Sequence, residues 1–404
     1  MYIERHLEKT VQKMNATFPV ILITGPRQVG KTTLLEKMSE TGRRYVTLDN
    51  PLVRELAQRD PALFIQRYAP PVIIDEIQYA PELLPYIKMH VDHNKQKGAF
   101  WLTGSQMFHL MKNVSESLAG RVGVLQMQGL STAEIEGYAD GHYTAEVAEL
   151  MARLEKRRSV DLKQVYERIF RGSMPALYET PQDTELYYAS YVSTYLQRDV
   201  RELTQVGDEM SFMRFMSACA ARTSQMVNYA DIAKDVGISP PTAKQWLSVL
   251  VASGIVVLVE PYFNNALKRI VKSPNLYFMD TGLCAYLTRW SSAETLEVSA
   301  MAGAFFETYV VSEIIKGFLN EGKRAPVYYY RDTDQKEIDL VIELDQRLFP
   351  VEIKKTASPK RDAIRHFRAL EKTGKQMGPG SVICLSQELL PLDGTNHVVP
   401  VWLI

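Results

Sequence analysis

The sequence predicts an α/β protein: a parallel sheet with helices on both faces, then a helical stretch, a helix-turn-helix unit and a second α/β unit. Three observations predict it. Residues 25–32 read Gly-Pro-Arg-Gln-Val-Gly-Lys-Thr, a complete G-x-x-x-x-G-K-[ST] loop between an apolar run and a helix start. Pro71-Val72-Ile73-Ile74 is a second apolar run, ending in Asp75-Glu76. Beyond residue 300, short apolar runs return and carry Asp339 and the triplet Glu352-Ile353-Lys354.

The loop defines the first site. Val20-Ile21-Leu22-Ile23-Thr24 reads as a buried strand and Thr33-Leu34-Leu35-Glu36-Lys37-Met38 as a helix start, the context such a loop requires. Gly25 and Gly30 let the backbone turn tightly against phosphates. Pro26, Arg27, Gln28 and Val29 complete the loop. Amides from Val29 to Thr33 would form an anion nest at a helix N-terminus. Lys31 would reach the β- and γ-phosphates, and Thr32 would ligate Mg²⁺. The chain is thus expected to bind a nucleoside triphosphate, ATP by resemblance rather than by any residue that reads the base.

A run such as 71–74 suits a strand buried on both faces of a parallel sheet, with ligands at its C-terminal edge. Asp75 is then the acid on the Mg²⁺ side and Glu76 the base that polarises the attacking water. The opposing reading is an acidic first turn of a surface helix. Ala99 to Thr103 reads as a neighbouring strand, from which Ser105 or Gln106 would reach the γ-phosphate or its water. Arg121 is either an arginine meeting γ-phosphate, in its own chain or a neighbour's in a homo-oligomer, or a surface ion pair.

Strands are expected at 20–24, 45–48, 72–75, 99–103 and 122–127, alternating with helices. Helical texture takes over near Ala133. Tyr187, Tyr188, Tyr191 and Tyr195 recur at helical spacing, which marks a packing face more often than a base-stacking one. From Ser211 the pattern resembles a winged helix: a helix to Arg222, a short one at 228–236, a turn at Gly237, and a third opened by Ser239 as cap and Pro240. Thr242, Lys244 and Gln245 would face a DNA major groove, and Lys268, Arg269 and Lys272 its phosphates. The same unit also serves as a protein-contact module.

In the last third, a helix from Gly303 carries Glu307. Strands follow at 327–331, 337–343 and 348–354, then a helix from about Pro359 and a strand at 381–385. Alternation puts Glu352 and Lys354 on one strand face. If the Asp339 strand pairs alongside, two carboxylates and a lysine meet, with Glu307 completing a site for a second Mg²⁺ or Mn²⁺. That order resembles the PD-(D/E)XK nuclease fold. A solvated face of cross-strand ion pairs and an inactive nuclease-like fold are the alternatives.

Composition bounds the rest. The chain has 404 residues, enough for two or three domains, and balances 47 basic against 47 acidic residues, so no global positive field points to nucleic acid. Three widely spaced cysteines without a C-x-x-C pattern suit a reducing compartment and argue against structural zinc. A polar start and the lack of a long apolar run make a soluble, cytoplasmic protein the expectation, with no membrane partner.

Taken together, residues 25–33, Ile74-Asp-Glu-Ile-Gln78, Leu102 to Ser105, Leu118 to Arg121, Tyr195 to Asp199, Tyr277 to Gly282, Phe306-Glu307, Glu337 to Asp339 and Glu352 to Lys354 resemble a prokaryotic family of AAA-like P-loop ATPases. The likeness extends to the signal-transduction ATPase branch, with a winged helix and a C-terminal domain of unknown function. It implies an ATPase core at 1–138, a helical linker at 139–210, a winged helix at 211–272 and a PD-(D/E)XK-like domain at 273–404. The function implied is an ATPase whose nucleotide state is coupled to a DNA-facing, nuclease-like half. The alternative is a nucleotide-controlled switch or scaffold that only binds DNA or protein.

Overall fold

In the computed structural model the described residues are 2–105, 114, 116–139, 141–180, 182–195, 209–263 and 273–404. Strands β1 (Val20–Thr24), β2 (Arg44–Thr47), β3 (Val72–Asp75), β4 (Phe100–Gly104) and β5 (Val122–Gln126) form one parallel sheet in the order β2-β3-β4-β1-β5. The order and the helices around the sheet are those of a P-loop NTPase fold, as the sequence predicted. Parallel strands buried on both faces explain the unbroken apolar runs. Alternation divides them: Val20 and Leu22 face a core with Ile74, Leu102, Phe64 and Ile87, whereas Ile21 and Ile23 face Leu7, Leu34 and Leu35.

The second of these cores continues without a break into the rest of the chain. It takes in Tyr188, Phe212, Trp246, Tyr277, Phe305 and Leu403. The C-terminal half therefore packs on the back of the first sheet instead of hanging from a linker.

Between the two sheets the chain is mostly helical, with helices α1 (Val147–Lys156), α2 (Leu162–Arg171), α3 (Thr184–Tyr195) and α4 (Glu209–Ala220). Tyr188 and Tyr191 are buried, so the tyrosine spacing marks a packing face. Helices α5 (Tyr229–Val236) and α6 (Pro240–Ala252) meet at Gly237, whose φ of 82° suits the left-handed turn. Ser239 caps α6 by accepting the amide of Thr242. Strands β6 (Gln225–Met226), β7 (Val256–Val259) and β8 (Asn275–Phe278) close this unit in the antiparallel order β6-β8-β7.

The last unit is an α/β sheet. Helix α7 (Ala302–Asn320) precedes β9 (Val327–Arg331), β10 (Glu337–Leu344), β11 (Arg347–Lys354), β12 (Gln376–Met377), β13 (Gly380–Cys384), β14 (Leu390–Pro391) and β15 (Asn396–Pro400). The path is β14-β15-β13-β11-β10-β9, with β12 beside β11. One expectation is corrected. The segment after Pro359 is two short 3-10 helices, Arg361–Ile364 and Phe367–Thr373, and not one α-helix. Each buries only a few apolar residues, Ile364 in the first and Phe367, Ala369 and Leu370 in the second.

Candidate functional site

Strands β1, β3 and β4 end on one edge of the first sheet, and three motif segments meet there. Gly25 has a φ of 145°, and a Cβ on it would lie 2.0 Å from the Met127 carbonyl oxygen, so only glycine fits. Gly30 precedes the helix Lys31–Met38, and no side chain caps that helix. Its first-turn amides have no acceptor within the helix, the arrangement that suits an anion. Lys31 is buried, its Nζ donating to the carbonyls of Gly25 at 3.0 Å and Pro26 at 2.7 Å.

Across the edge, Thr32 Oγ1 donates to Asp75 Oδ1 at 2.8 Å, and Tyr45 OH donates to Asp75 Oδ2 at 3.0 Å. Thr103 on β4 also donates to Asp75 Oδ1, and its hydroxyl accepts the Glu76 amide at 3.0 Å. Glu76 sits in the left-handed region with a φ of 58°, a conformation that costs a non-glycine residue about 1–3 kcal/mol and is typical of functional sites. Ser105 Oγ donates to Glu76 Oε2 at 3.3 Å, and Gln78 Nε2 donates to the same oxygen. The site therefore brings together Lys31, Thr32, Asp75, Glu76 and Ser105, all singled out in the sequence. Thr103, Tyr45 and Gln78 were missed; a threonine before a small polar end of a strand was the available signal for Thr103.

Arg121 is elsewhere. It immediately precedes β5, whose Val122 pairs with Val20 at the start of β1. It therefore lies at the opposite edge of the sheet from the loop, about 16 Å of strand away. Its guanidinium pairs with exposed Asp92. At that edge it does not meet the loop of its own chain. Gln106 lies outside the described residues.

The loop also touches the C-terminal half. Tyr187 OH donates to Gln28 Oε1 at 2.8 Å. Gly254, just after α6, has its Cβ direction aimed at Pro26 and Gln128. Next to it, Asp280 is buried and accepts from Ser173 N, Ser173 Oγ, Tyr188 OH and Leu283 N.

On α6, Lys244 and Gln245 are exposed and Thr242 half-buried, because Trp246 turns inward onto Phe212 and Phe215. Lys268, Arg269 and Lys272 lie outside the described residues.

The second cluster stands on β10 and β11. They run antiparallel with Leu340 opposite Val351, which sets Asp339 across from Glu352. Asp339 Oδ2 accepts the Ile353 amide at 2.8 Å. Lys354 Nζ lies 2.6 Å from Glu352 Oε1 and 3.6 Å from Asp339 Oδ2. From α7, Glu307 accepts from Tyr277 OH at 2.7 Å. Glu307 and Asp339 line one cleft of about 380 Å³ with Asn275, Gln225 and Arg331. Burial, then the charge of Asp339, pushes Glu307 up to about 8 and Glu352 up to about 7. Asn275 Oδ1, buried in this cleft wall, has no hydrogen-bond partner among the described residues. Carboxylates under mutual repulsion and an unsatisfied amide oxygen are a hard-cation donor set. Among the described residues, however, no three His, Cys, Asp or Glu side chains are gathered closely enough to hold a metal, and Lys354 sits between the two strand carboxylates.

Comparison with known proteins agrees with this architecture. Residues 17–136 match the model of an AAA domain, 162–294 a domain of unknown function (DUF8612), and 302–404 another (DUF4143). The chain carries a P-loop AAA-like ATPase domain followed by a C-terminal domain of unknown function. Uncharacterized proteins of Mycobacterium tuberculosis and Mycobacterium bovis are each 28% identical over 386 residues, covering 95% of this chain and 80% of theirs. Among solved structures, a Walker-type ATPase of Pyrococcus abyssi is 14% identical, covering 71% of this chain and 96% of that one, with a TM-score of 0.44. A signal transduction ATPase with numerous domains from Pyrococcus horikoshii is 12% identical, covering 79% and 47%, with a TM-score of 0.28. No helix among the described residues is long and apolar enough to cross a membrane.

Proposed function

We propose that this chain binds and hydrolyses ATP with Mg²⁺, and that its nucleotide state is coupled to a DNA-facing, nuclease-like C-terminal half. The observation that carries the hydrolytic reading is the convergence of Thr32, Asp75, Thr103 and Glu76 at one strand edge. Thr32 and Asp75 would hold Mg²⁺, whose chemistry is to neutralise phosphate charge. Lys31 would leave the loop carbonyls for the β- and γ-phosphates. Glu76, held by Ser105 and Gln78, would accept the proton of the attacking water. The contacts of Gln28 with Tyr187 and of Pro26 with Gly254 support coupling, since a loop that reshapes around phosphate moves against both.

The parts of this reading are an ATPase core at 1–138, a linker at 139–210, a winged helix at 211–272 with Thr242, Lys244 and Gln245 toward DNA, and a PD-(D/E)XK-like domain at 273–404. In the last, Asp339, Glu352 and Glu307 would have to draw together to hold Mg²⁺ or Mn²⁺, since as they stand they are not gathered closely enough. Arg121, facing away from its own loop, would act on a neighbour's nucleotide in a homo-oligomer. ATP turnover with and without DNA, together with mass in each nucleotide state, tests the coupling: turnover indifferent to DNA and a constant mass would reject it.

A second reading is a nucleotide-controlled scaffold without cleavage. The placement of Lys354 between Asp339 and Glu352 favours it, because an ammonium already balances the charge a metal would relieve.

A further inference from the structure

We infer that Arg5, outside every motif, is a positioning residue of the phosphate loop: its guanidinium fixes the peptide between Val29 and Gly30 so that the Gly30 amide faces the phosphates. The inference rests on the proposed nucleotide-binding function of that loop.

Arg5 is 4% exposed. Its Nη1 donates to the Val29 carbonyl at 2.9 Å, its Nη2 to the Gln128 carbonyl at 2.7 Å, and its Nε to Glu134 Oε1 at 3.0 Å. One planar fork thus ties the loop to the chain just after β5 and to the capping helix at 132–136. In a trans peptide the C=O and the following N–H point in opposite directions. Holding the Val29 oxygen on the Arg5 side therefore turns the Gly30 N–H to the other side. On this inference that side is the head of the Lys31–Met38 helix, which no side chain caps and whose own first-turn amides lack intrahelical acceptors.

A peptide plane beside glycine swings easily, and Gly30 stands at a φ of 92° with nothing but a methionine methyl near its Cβ direction. Without an external tether, this peptide could flip and present its carbonyl to the phosphates. Glu134 keeps the tether charged and rigid. It is itself buried, held below the ordinary carboxylate range by Arg5 against the opposing effect of burial, and it caps its own helix through Ser131. Lysine cannot reproduce the arrangement, because a single ammonium lacks the fixed fork that reaches three acceptors in one plane.

The test uses the full chain with tripolyphosphate and ATP as probes, and follows the Gly30 amide in ¹⁵N-glycine-labelled protein. Arg5→Lys keeps a charge beside Glu134. The double variant Arg5→Met, Glu134→Gln removes both buried charges together. We expect both, measured below their lowered melting temperatures where they are folded, to bind ATP and tripolyphosphate about tenfold more weakly, the worth of one well-aimed hydrogen bond. The Gly30 amide should lose its nucleotide-induced shift. Wild-type affinity and an undiminished Gly30 shift in either folded variant would overturn the role of Arg5. Should Lys31→Ala leave ATP affinity unchanged, the loop reading itself fails, and the Arg5 proposal with it.

Discussion

Thr32 and Asp75, 43 positions apart, share a hydrogen bond of 2.8 Å at the end of the first sheet. The first opens a helix on the phosphate loop and the second closes β3. β4 lies between their strands, and its Thr103 bonds the same Asp75 oxygen and the amide after it. The two oxygens proposed to hold Mg²⁺ thus stand in contact, and the amide of the strained Glu76 is tied to Thr103, which also bonds Asp75. This local order makes the roles of individual residues separable by mutation.

Lys31→Ala should weaken ATP binding by about a hundredfold or more, since a charge-assisted contact in a buried nest is worth up to about 3 kcal/mol. The lysine now spends its protons on two loop carbonyls, so its removal frees those acceptors without disturbing the strand behind them. Calorimetric titration with ATP reads the effect. Undiminished affinity in a folded variant would sink the assignment of the loop.

Glu76→Gln should keep ATP bound and slow turnover by on the order of a hundredfold or more, because the amide preserves shape and removes the base. The neighbours of Glu76 are Ser105 and Gln78, which the amide can still meet. Single-turnover measurement separates the two steps. Normal turnover would move the base elsewhere, and loss of binding would make Glu76 a structural partner.

Thr103→Val should lower turnover more than binding. The methyl matches the hydroxyl in size but neither donates to Asp75 nor accepts the Glu76 amide. The left-handed backbone at Glu76 would lose its tether, and leaving a buried polar group unpaired costs about 1–3 kcal/mol. A variant with wild-type kcat would show that the bridge does not set the geometry of Glu76.

The acid cluster makes stability depend on pH, and the sign follows from the shifts. Glu307 and Glu352 are raised to about 8 and about 7, by burial first and by Asp339 second. In the unfolded chain a glutamate releases its proton near about 4.3. Between those values the native state binds more protons than the unfolded one, so the unfolding free energy falls as pH rises. The melting temperature should decline from about pH 5 to about pH 8, and Glu307→Gln should flatten that decline. Equal slopes in both proteins would remove this residue as the cause.

Much of this was legible beforehand for a physical reason. Parallel strands buried on both faces spell themselves as apolar runs, and phosphate loops need glycine at fixed spacing, so β1, β3 and the loop could be read from residues 20–33 and 71–76. Strand alternation likewise put Glu352 with Lys354. Contacts made across the fold left no local trace. Arg5 reaches the loop from the chain's start, Tyr187 reaches Gln28 across 159 positions, and Asn275 enters the acid cleft from a different sheet. Arg121 was left between a phosphate contact and a surface ion pair, because distance in sequence says nothing of which edge of the sheet a residue occupies; in the structure it forms the ion pair with Asp92. The 3-10 character after Pro359 was invisible because the segment's apolar spacing suits either winding.

The final prediction concerns the last domain. Asp339, Glu352 and Glu307 should support Mg²⁺- or Mn²⁺-dependent cutting of DNA if the cation displaces Lys354 from between the strand carboxylates and draws the three acids together, which as they stand are not gathered closely enough to hold it. The displaced ammonium would then be free to meet a phosphate, and Asn275 would offer its unpaired oxygen to the cation. The first change gives the carboxylates a divalent partner and the ammonium a phosphate, the second adds a neutral oxygen ligand, and the cation offsets both the burial and the Asp339 charge that raise the acids. Cutting should vanish in the Asp339→Ala, Glu352→Ala double variant while ATP binding persists, since the loop lies on the other sheet. Equal cutting by both proteins would point to another site. No cutting of single-stranded or duplex DNA by either, with Mn²⁺ failing to raise the melting temperature of the wild type at about pH 8, would leave Lys354 as the resident cation and make the domain a scaffold.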